Sequence, residues 1–147
     1  MSDTIACNAE TPESRSLQLS AISLVIFDCD GVLIDSERIA SGSMSETLVE
    51  FGVDVTPHEA LAIFTGNSER DSRAKCLELG VTEIDEFWRA RSKRLYQGFE
   101  GLTEMAGISE AIAAINRPIC VASNSSLFRL TRSLGRLPLW QTFKGQI

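Results

Sequence analysis

Residues 24–27, Leu-Val-Ile-Phe, are wholly apolar; Asp28-Cys29-Asp30-Gly31 follows, and then a second apolar group, Val32-Leu33-Ile34. A run of that length and composition predicts a short buried strand. Downstream the period changes. Ile39, Met44, Leu48 and Phe51 fall at helical spacing and stop at Gly52. Thr56-Pro57-His58-Glu59 is a capping box with proline in the first helical position, and opens a helix through Leu61, Ile63 and Phe64 toward Gly66. Ser68 caps the next, which carries Ala74, Cys76 and Leu77 to a glycine stop at Gly80. Thr82 and Asp85 open a longer helix, apolar at Ile84, Phe87, Trp88, Leu95 and Tyr96 and cationic at Arg89, Arg91, Lys93 and Arg94. That cationic side reads as a solvated face, not as a binding patch. A helix over 109–116, an apolar strand over 118–122, the polar loop Ser123-Asn124-Ser125-Ser126 and a helix over 127–134 follow. Residues 137–147 read as a turn and the first residues of another strand. The order of strand, helical block, helix, strand, helix predicts an α/β core with a helical insertion after its first strand.

Composition narrows the classes. With 44% hydrophobic and 23% charged residues, the 147-residue chain has an ordinary soluble balance and room for one real core. A net charge of −6 argues against a nucleic-acid surface. No apolar stretch reaches the length of a membrane span, and the acids near the start are unlike a secretory signal. Residues 1–20 are expected to form a disordered tail. Cys7, Cys29, Cys76 and Cys120 have no zinc, redox or disulfide spacing, which points to reduced thiols and a cytoplasmic location. His58 is the single histidine, so Ser-His and Cys-His chemistry are discounted.

Three readings compete for Asp28-Cys29-Asp30-Gly31. Asp-Gly between β-prone runs is a hairpin signal. A calcium loop fails on spacing, because Gly31 as its sixth residue would put the first ligand at Ile26. The third reading places Asp28 at the carboxyl end of a buried strand, where open α/β sheets hold ligands. The 123–126 loop bears on the choice. Serine and asparagine before a helix make an anion site from free N–H groups and the helix dipole, although the same residues are common caps. Ser125 lacks the glycine flanks of a nucleophile elbow. Taken together, two parallel strands would deliver two carboxylates and a phosphate cradle to one sheet edge. One carboxylate could then act as nucleophile while the other carries a proton, and Mg²⁺ would suit so oxygen-rich a site.

Phe27-Asp28-Cys29-Asp30-Gly31-Val32-Leu33 with Val121-Ala122-Ser123-Asn124 resembles the haloacid dehalogenase-like (HAD) phosphohydrolases. It is most similar to their sugar-phosphate phosphatases of the β-phosphoglucomutase and 6-phosphogluconate phosphatase type. The resemblance implies a Rossmann-like core with a parallel sheet over 21–35 and 103–147, incomplete in this chain, and an inserted α-helical cap over 36–102. It makes Asp28 the nucleophile that forms an aspartyl-phosphate and Asp30 the general acid and base. Mg²⁺ would bind to the Asp28 carboxylate and the Asp30 backbone carbonyl, and Ser123 with Asn124 would hold the transferring phosphate. An acid at position 30 argues against a true dehalogenase. Thr65-Gly66-Asn67-Ser68-Glu69-Arg70 resembles the substrate-facing cap loop, with Gly66, Asn67 and Arg70 as candidates for contact.

The family pattern also includes a later lysine and an acidic pair. Lys144 is the only lysine beyond Ser126, and Glu110 is the last acid. A chain cut short after its first two motifs is therefore expected, inactive alone and prone to associate along a strand edge. The complete protein is expected to be a monomer acting on a small phosphorylated metabolite, without nucleic-acid or membrane partners. A phosphosugar mutase and a non-catalytic remnant are the alternatives.

Overall fold

Residues 21–145 are described by a computed structural model. The tail expected over 1–20, and the last two positions of the strand start expected in 137–147, lie outside the described residues. β1 (Val25–Phe27) and β2 (Ile119–Val121) run parallel, with Val25 opposite Ile119 and Phe27 opposite Val121. The ladder continues at each end, from Val25 N–H to the Pro118 carbonyl (3.0 Å) and from Ala122 N–H to the Phe27 carbonyl (2.9 Å). This small parallel sheet and the helices around it form a mixed α/β fold. Among the described residues β1 has a strand neighbour on one side only, and Ile26 is 60% exposed.

The hairpin reading of the first loop fails here. Residues 32–36 do not return along β1; instead the N–H groups of Val32, Leu33 and Ile34 converge on the Cys29 carbonyl at 3.4, 2.9 and 3.2 Å. Gly31 makes this coil possible, with φ at +74° and a position where a Cβ would meet the Glu37 carboxyl atoms at 3.1 Å.

Four helices follow: α1 (Glu37–Glu50), α2 (Pro57–Phe64), α3 (Glu69–Glu78) and α4 (Ile84–Gly98), the last continued by a 3₁₀ turn at Phe99–Gly101. The Thr56/Glu59 capping box forms, and its two Thr56 hydrogen bonds hold the Glu59 carboxyl below its ordinary range. Ser68 caps α3 through Asp71 N–H (3.1 Å). α5 (Ile108–Ala113) leads into β2, and α6 (Leu127–Arg132) leaves it, followed by a 3₁₀ turn at Leu134–Arg136 and α7 (Trp140–Phe143). None of the helices among the described residues is long and apolar enough to cross a membrane.

Three local expectations are corrected. α4 begins at Ile84 without a side-chain cap, because Glu83 holds the cap position and Thr82, one residue earlier, gives its hydroxyl to Glu83 (2.7 Å). Residues 140–143 are helical, not the approach to a strand; Phe143 is fully buried and meets the Phe27 ring edge-on at 5.8 Å. The cationic side of α4 is not uniformly solvated either. Arg94 folds onto α1, at 2.6 Å from Glu50 and 3.7 Å from Glu46, and Arg91 has a buried Nε. Helices pack on α4 from more than one direction, which a single periodic stripe does not express.

Apolar burial falls into two clusters. Cys29, Leu33, Ile34, Leu95, Phe99, Val121, Leu130, Leu134 and Phe143 surround the sheet, whereas Met44, Leu48, Val55, Cys76, Val81, Phe87 and Trp88 lie within the helical block. α1 and α4 contribute to both. They pack tightly at Gly98, where an added Cβ would lie 2.5 Å from Ile39 Cγ2. Gly98→Ala should therefore cost about 1–2 kcal/mol by overpacking. Gly42→Ala, in mid-helix with nothing within 4 Å of the new Cβ, should gain about 0.5–1 kcal/mol. Urea midpoints of the two variants moving in the same direction would contradict this packing.

Candidate active site

The carboxyl ends of β1 and β2 place two loops side by side. Asp28 follows Phe27 directly and Ala122-Ser123 follows Val121, so the register of the strands sets Asp28 level with the start of the polar loop. Asp28 is exposed, and its Oδ1 accepts from the Cys29 N–H at 2.7 Å.

Asp30 is held far more tightly. Its Oδ1 accepts from Ser36 Oγ at 2.6 Å and from Arg129 Nη2 at 3.3 Å, and its Oδ2 accepts from Ser125 Oγ at 2.8 Å. Asp30 and Arg129 side chains are each 27% exposed. Ser125 in turn gives its backbone N–H to Ser123 Oγ (3.1 Å), so a chain of hydrogen bonds runs from one loop to the other. Ser126 caps α6 through Arg129 N–H (3.3 Å). Asn124 is exposed beside them.

Ser36, Ser125 and Arg129 are the residues that the sequence pattern did not single out for this role. For Arg129 a signal existed. It lies in the first turn of α6, and helical side chains lean toward the N-terminus, so a long one there reaches back over the preceding loop. Ser36 precedes α1 in the cap position but makes no cap bond, giving its hydroxyl to Asp30 instead.

The cap-loop candidates make local contacts of their own. Gly66 turns the chain with φ at +77°, Asn67 Nδ2 donates to the Ile63 carbonyl (2.9 Å), and Arg70 is exposed at the start of α3. None of the three hydrogen-bonds to Asp28, Asp30 or Ser123 among the described residues.

Between the two aspartates, the Cys29 thiol is pushed up to about 12, by burial first and then by the charges of Asp30 and Asp28. It stays neutral near pH 7 and is a poor nucleophile there. The donors present fit Mg²⁺ as a partial ligand set. The described residues contain no group of three or more acids, cysteines or histidines arranged for a metal. The Asp30 carboxylate is already engaged by three donors, but its backbone carbonyl accepts no hydrogen bond among the described residues. That carbonyl and the exposed Asp28 carboxylate are two hard oxygen donors of the kind that Mg²⁺ accepts alongside water.

Residues 25–145 match the haloacid dehalogenase-like hydrolase family, and the chain belongs to it. Among curated proteins it is similar to the 6-phosphogluconate phosphatase of Escherichia coli strain K12. The two are 31% identical over 134 residues, which is 88% of this chain and 60% of that protein. Among solved structures it is similar to a conserved haloacid dehalogenase-like protein of Agrobacterium tumefaciens strain C58. The TM-score is 0.75 at 30% identity, covering 86% of this chain and 58% of the other. A HAD family hydrolase of Deinococcus radiodurans R1, solved with bound phosphate and sodium, gives a TM-score of 0.65 at 25% identity over 85% of this chain and 56% of its own. The chain thus spans about 60% of the length of the curated relative that it matches.

Proposed function

We propose that the protein carrying this chain is a Mg²⁺-dependent phosphatase of a small sugar phosphate. The observation that carries the reading is the Asp30 carboxylate, fixed by Ser36, Ser125 and Arg129 at the sheet edge that also presents Asp28. In this reading an Asp28 carboxylate oxygen attacks phosphorus, the bond from phosphorus to the sugar oxygen breaks, and Asp30 gives that oxygen a proton. Water then attacks the aspartyl-phosphate, the Asp30 carboxylate takes its proton, and phosphate leaves with Asp28 restored. Asp30 as described accepts three hydrogen bonds and donates none, the form suited to the second step. For the first step its carboxyl must carry a proton, and Oδ2, which accepts from Ser125 alone, has room for one.

Ser123 and Asn124 act as phosphate ligands, and Ser125 positions Asp30. Asp28 and the Asp30 carbonyl hold Mg²⁺, which when bound offsets the charge of the phosphoryl oxygens. The helical block 36–102 serves as a cap, with Gly66, Asn67 and Arg70 on its substrate-facing loop. The 6-phosphogluconate phosphatase of E. coli is the relative that supports a sugar-phosphate substrate.

The test is an assay of 6-phosphogluconate and glucose phosphates with the protein carrying this chain, following both inorganic phosphate and the sugar product. The expected result is phosphate release that EDTA abolishes and Mg²⁺ restores. An isomerised sugar phosphate with no net phosphate would replace the phosphatase by a mutase, and no turnover with any phosphorylated sugar would overturn the reading.

A further inference from the structure

The Asp30 carboxyl is not held symmetrically. Its Oδ1 takes two donors, Ser36 Oγ at 2.6 Å and Arg129 Nη2 at 3.3 Å. Its Oδ2 takes Ser125 Oγ alone, at 2.8 Å, among the described residues. Arg129 stands in the first turn of α6, directly after the loop that carries Ser123 and Ser125. It therefore joins Asp30 to the helix behind the proposed phosphate ligands, while Ser36 joins the same oxygen to the start of α1. α6 is itself seated on the helical block. Phe128 meets Tyr96 of α4 edge-on at 5.8 Å, and the Arg132 guanidinium lies 5.1 Å and 5.7 Å from those two ring centres.

The Arg129 contact differs from an ordinary structural ion pair. A guanidinium and a carboxylate commonly meet as two forks, with parallel N–H donors on both oxygens. Here one N–H reaches one oxygen, and the Arg129 Nε is buried without an acceptor among the described residues. A buried donor left unpaired is unfavourable, so the geometry does not serve Arg129 itself. Its effect falls on Asp30. A fork would have occupied Oδ2 as well, whereas the single bond leaves that oxygen with one donor and further acceptor capacity. With Oδ1 held from two directions, the carboxyl cannot turn about its Cβ–Cγ bond without breaking its hydrogen bonds.

We propose that Arg129 is a positioning residue of the phosphatase reaction, holding Oδ1 of Asp30 so that Oδ2 is the oxygen that exchanges the proton. In the first step the proton passes from Oδ2 to the sugar oxygen, which keeps the electron pair of its breaking bond to phosphorus. In the second, water bonds phosphorus and gives a proton to Oδ2, and the Asp28 oxygen recovers the pair of the bond it loses. This deepens the phosphatase reading and rests on it.

The experiment is a double-substitution kinetic cycle in the protein carrying this chain, with 6-phosphogluconate and p-nitrophenyl phosphate as substrates. Arg129→Met keeps an unbranched stem and removes every donor, whereas Arg129→Lys keeps a charge and a donor. With 6-phosphogluconate, Arg129→Met should lower kcat by about 10–100-fold, part of the roughly 10²–10⁴ that a positioned acid or base contributes, and leave KM within about twofold. Arg129→Lys should retain more of kcat. With p-nitrophenyl phosphate, Arg129→Met should give a burst of nitrophenol and then slow release, because only the attack of water needs Oδ2 there. In the Asp30→Asn background, Arg129→Met should change kcat by less than about twofold, since the group it positions is already gone. An equal loss in both backgrounds would overturn the proposal, because Arg129 would then act on the phosphoryl group or on the fold. A raised KM with unchanged kcat would overturn it too. If Arg129→Met loses its cooperative melt, Arg129→Lys is carried through the same cycle, and an equal loss in both backgrounds again overturns the proposal. Wild-type turnover by Asp30→Asn would overturn the acid–base reading itself. A slow Asp30→Asn protein beside an unaffected Arg129→Met would overturn the positioning role alone.

Discussion

Asp28→Asn in the protein carrying this chain should lower phosphate release by roughly 10⁴–10⁶-fold, the scale seen when a covalent nucleophile is removed. The amide has the shape of the carboxylate but no anionic oxygen to attack phosphorus. The fold should be indifferent. Asp28 is exposed, and its one described hydrogen bond, from Cys29 N–H, can be accepted equally by an asparagine Oδ1. The thermal midpoint should therefore match wild type within the roughly 0.5 kcal/mol expected of a surface substitution. Because asparagine followed by another residue can deamidate back to aspartate, the preparation is checked by mass spectrometry. Wild-type turnover in an amide-intact sample would remove Asp28 from the mechanism, whatever the fate of the other assignments.

Asp30→Asn should slow turnover by roughly 10²–10⁴-fold, the usual contribution of a positioned acid or base. Here the leaving group separates chemistry from structure. With a sugar phosphate, the first step needs a proton for the departing alkoxide, so both halves of the reaction suffer. With p-nitrophenyl phosphate the leaving group departs unaided, and only the attack of water lacks its base. A burst of nitrophenol, close to one per active site, followed by slow turnover is the expected signature of an accumulating aspartyl-phosphate. The substitution also removes the one carboxylate paired with Arg129 among the described residues, so some loss of stability accompanies it. A uniform loss for both substrates without a burst, tracking the fraction unfolded, would make Asp30 a structural residue and not an acid–base group.

The same residue marks how far the sequence could be read. Asp28 and Asp30 stand out because a short apolar run ends in two acids and a glycine, and each part of that signal is local. The run predicts a strand, and Gly31 has the positive φ that the coil after it requires. The Thr56/Glu59 box and the Ser68 cap were legible for the same reason, since donor and acceptor are three residues apart. The pairing of β1 with β2 was an inference of a different kind. It followed from the chemistry that the two loops would need to share, and the parallel register bears it out.

What surrounds Asp30 was beyond that reach. Two of its three partners, Ser125 and Arg129, lie 95 and 99 residues away along the chain, and Ser36 carries no local signal that its hydroxyl goes to Asp30. Serine before a helix and arginine within one are common for reasons of capping and solvation, so neither announces a distant carboxylate. Arg91 was misread by the same logic. A cationic stripe on a helix predicts solvent only if nothing packs on that side, and whether something does is a property of the assembled elements. The strand, its acids, the caps and the polar loop were thus determined by the sequence alone, through backbone preference and spacing within a few residues. The donors that fix Asp30, the burial of the Arg91 Nε and the helix that seats Phe143 against Phe27 were decided only by the tertiary structure, because each depends on where segments far apart in the chain come to rest.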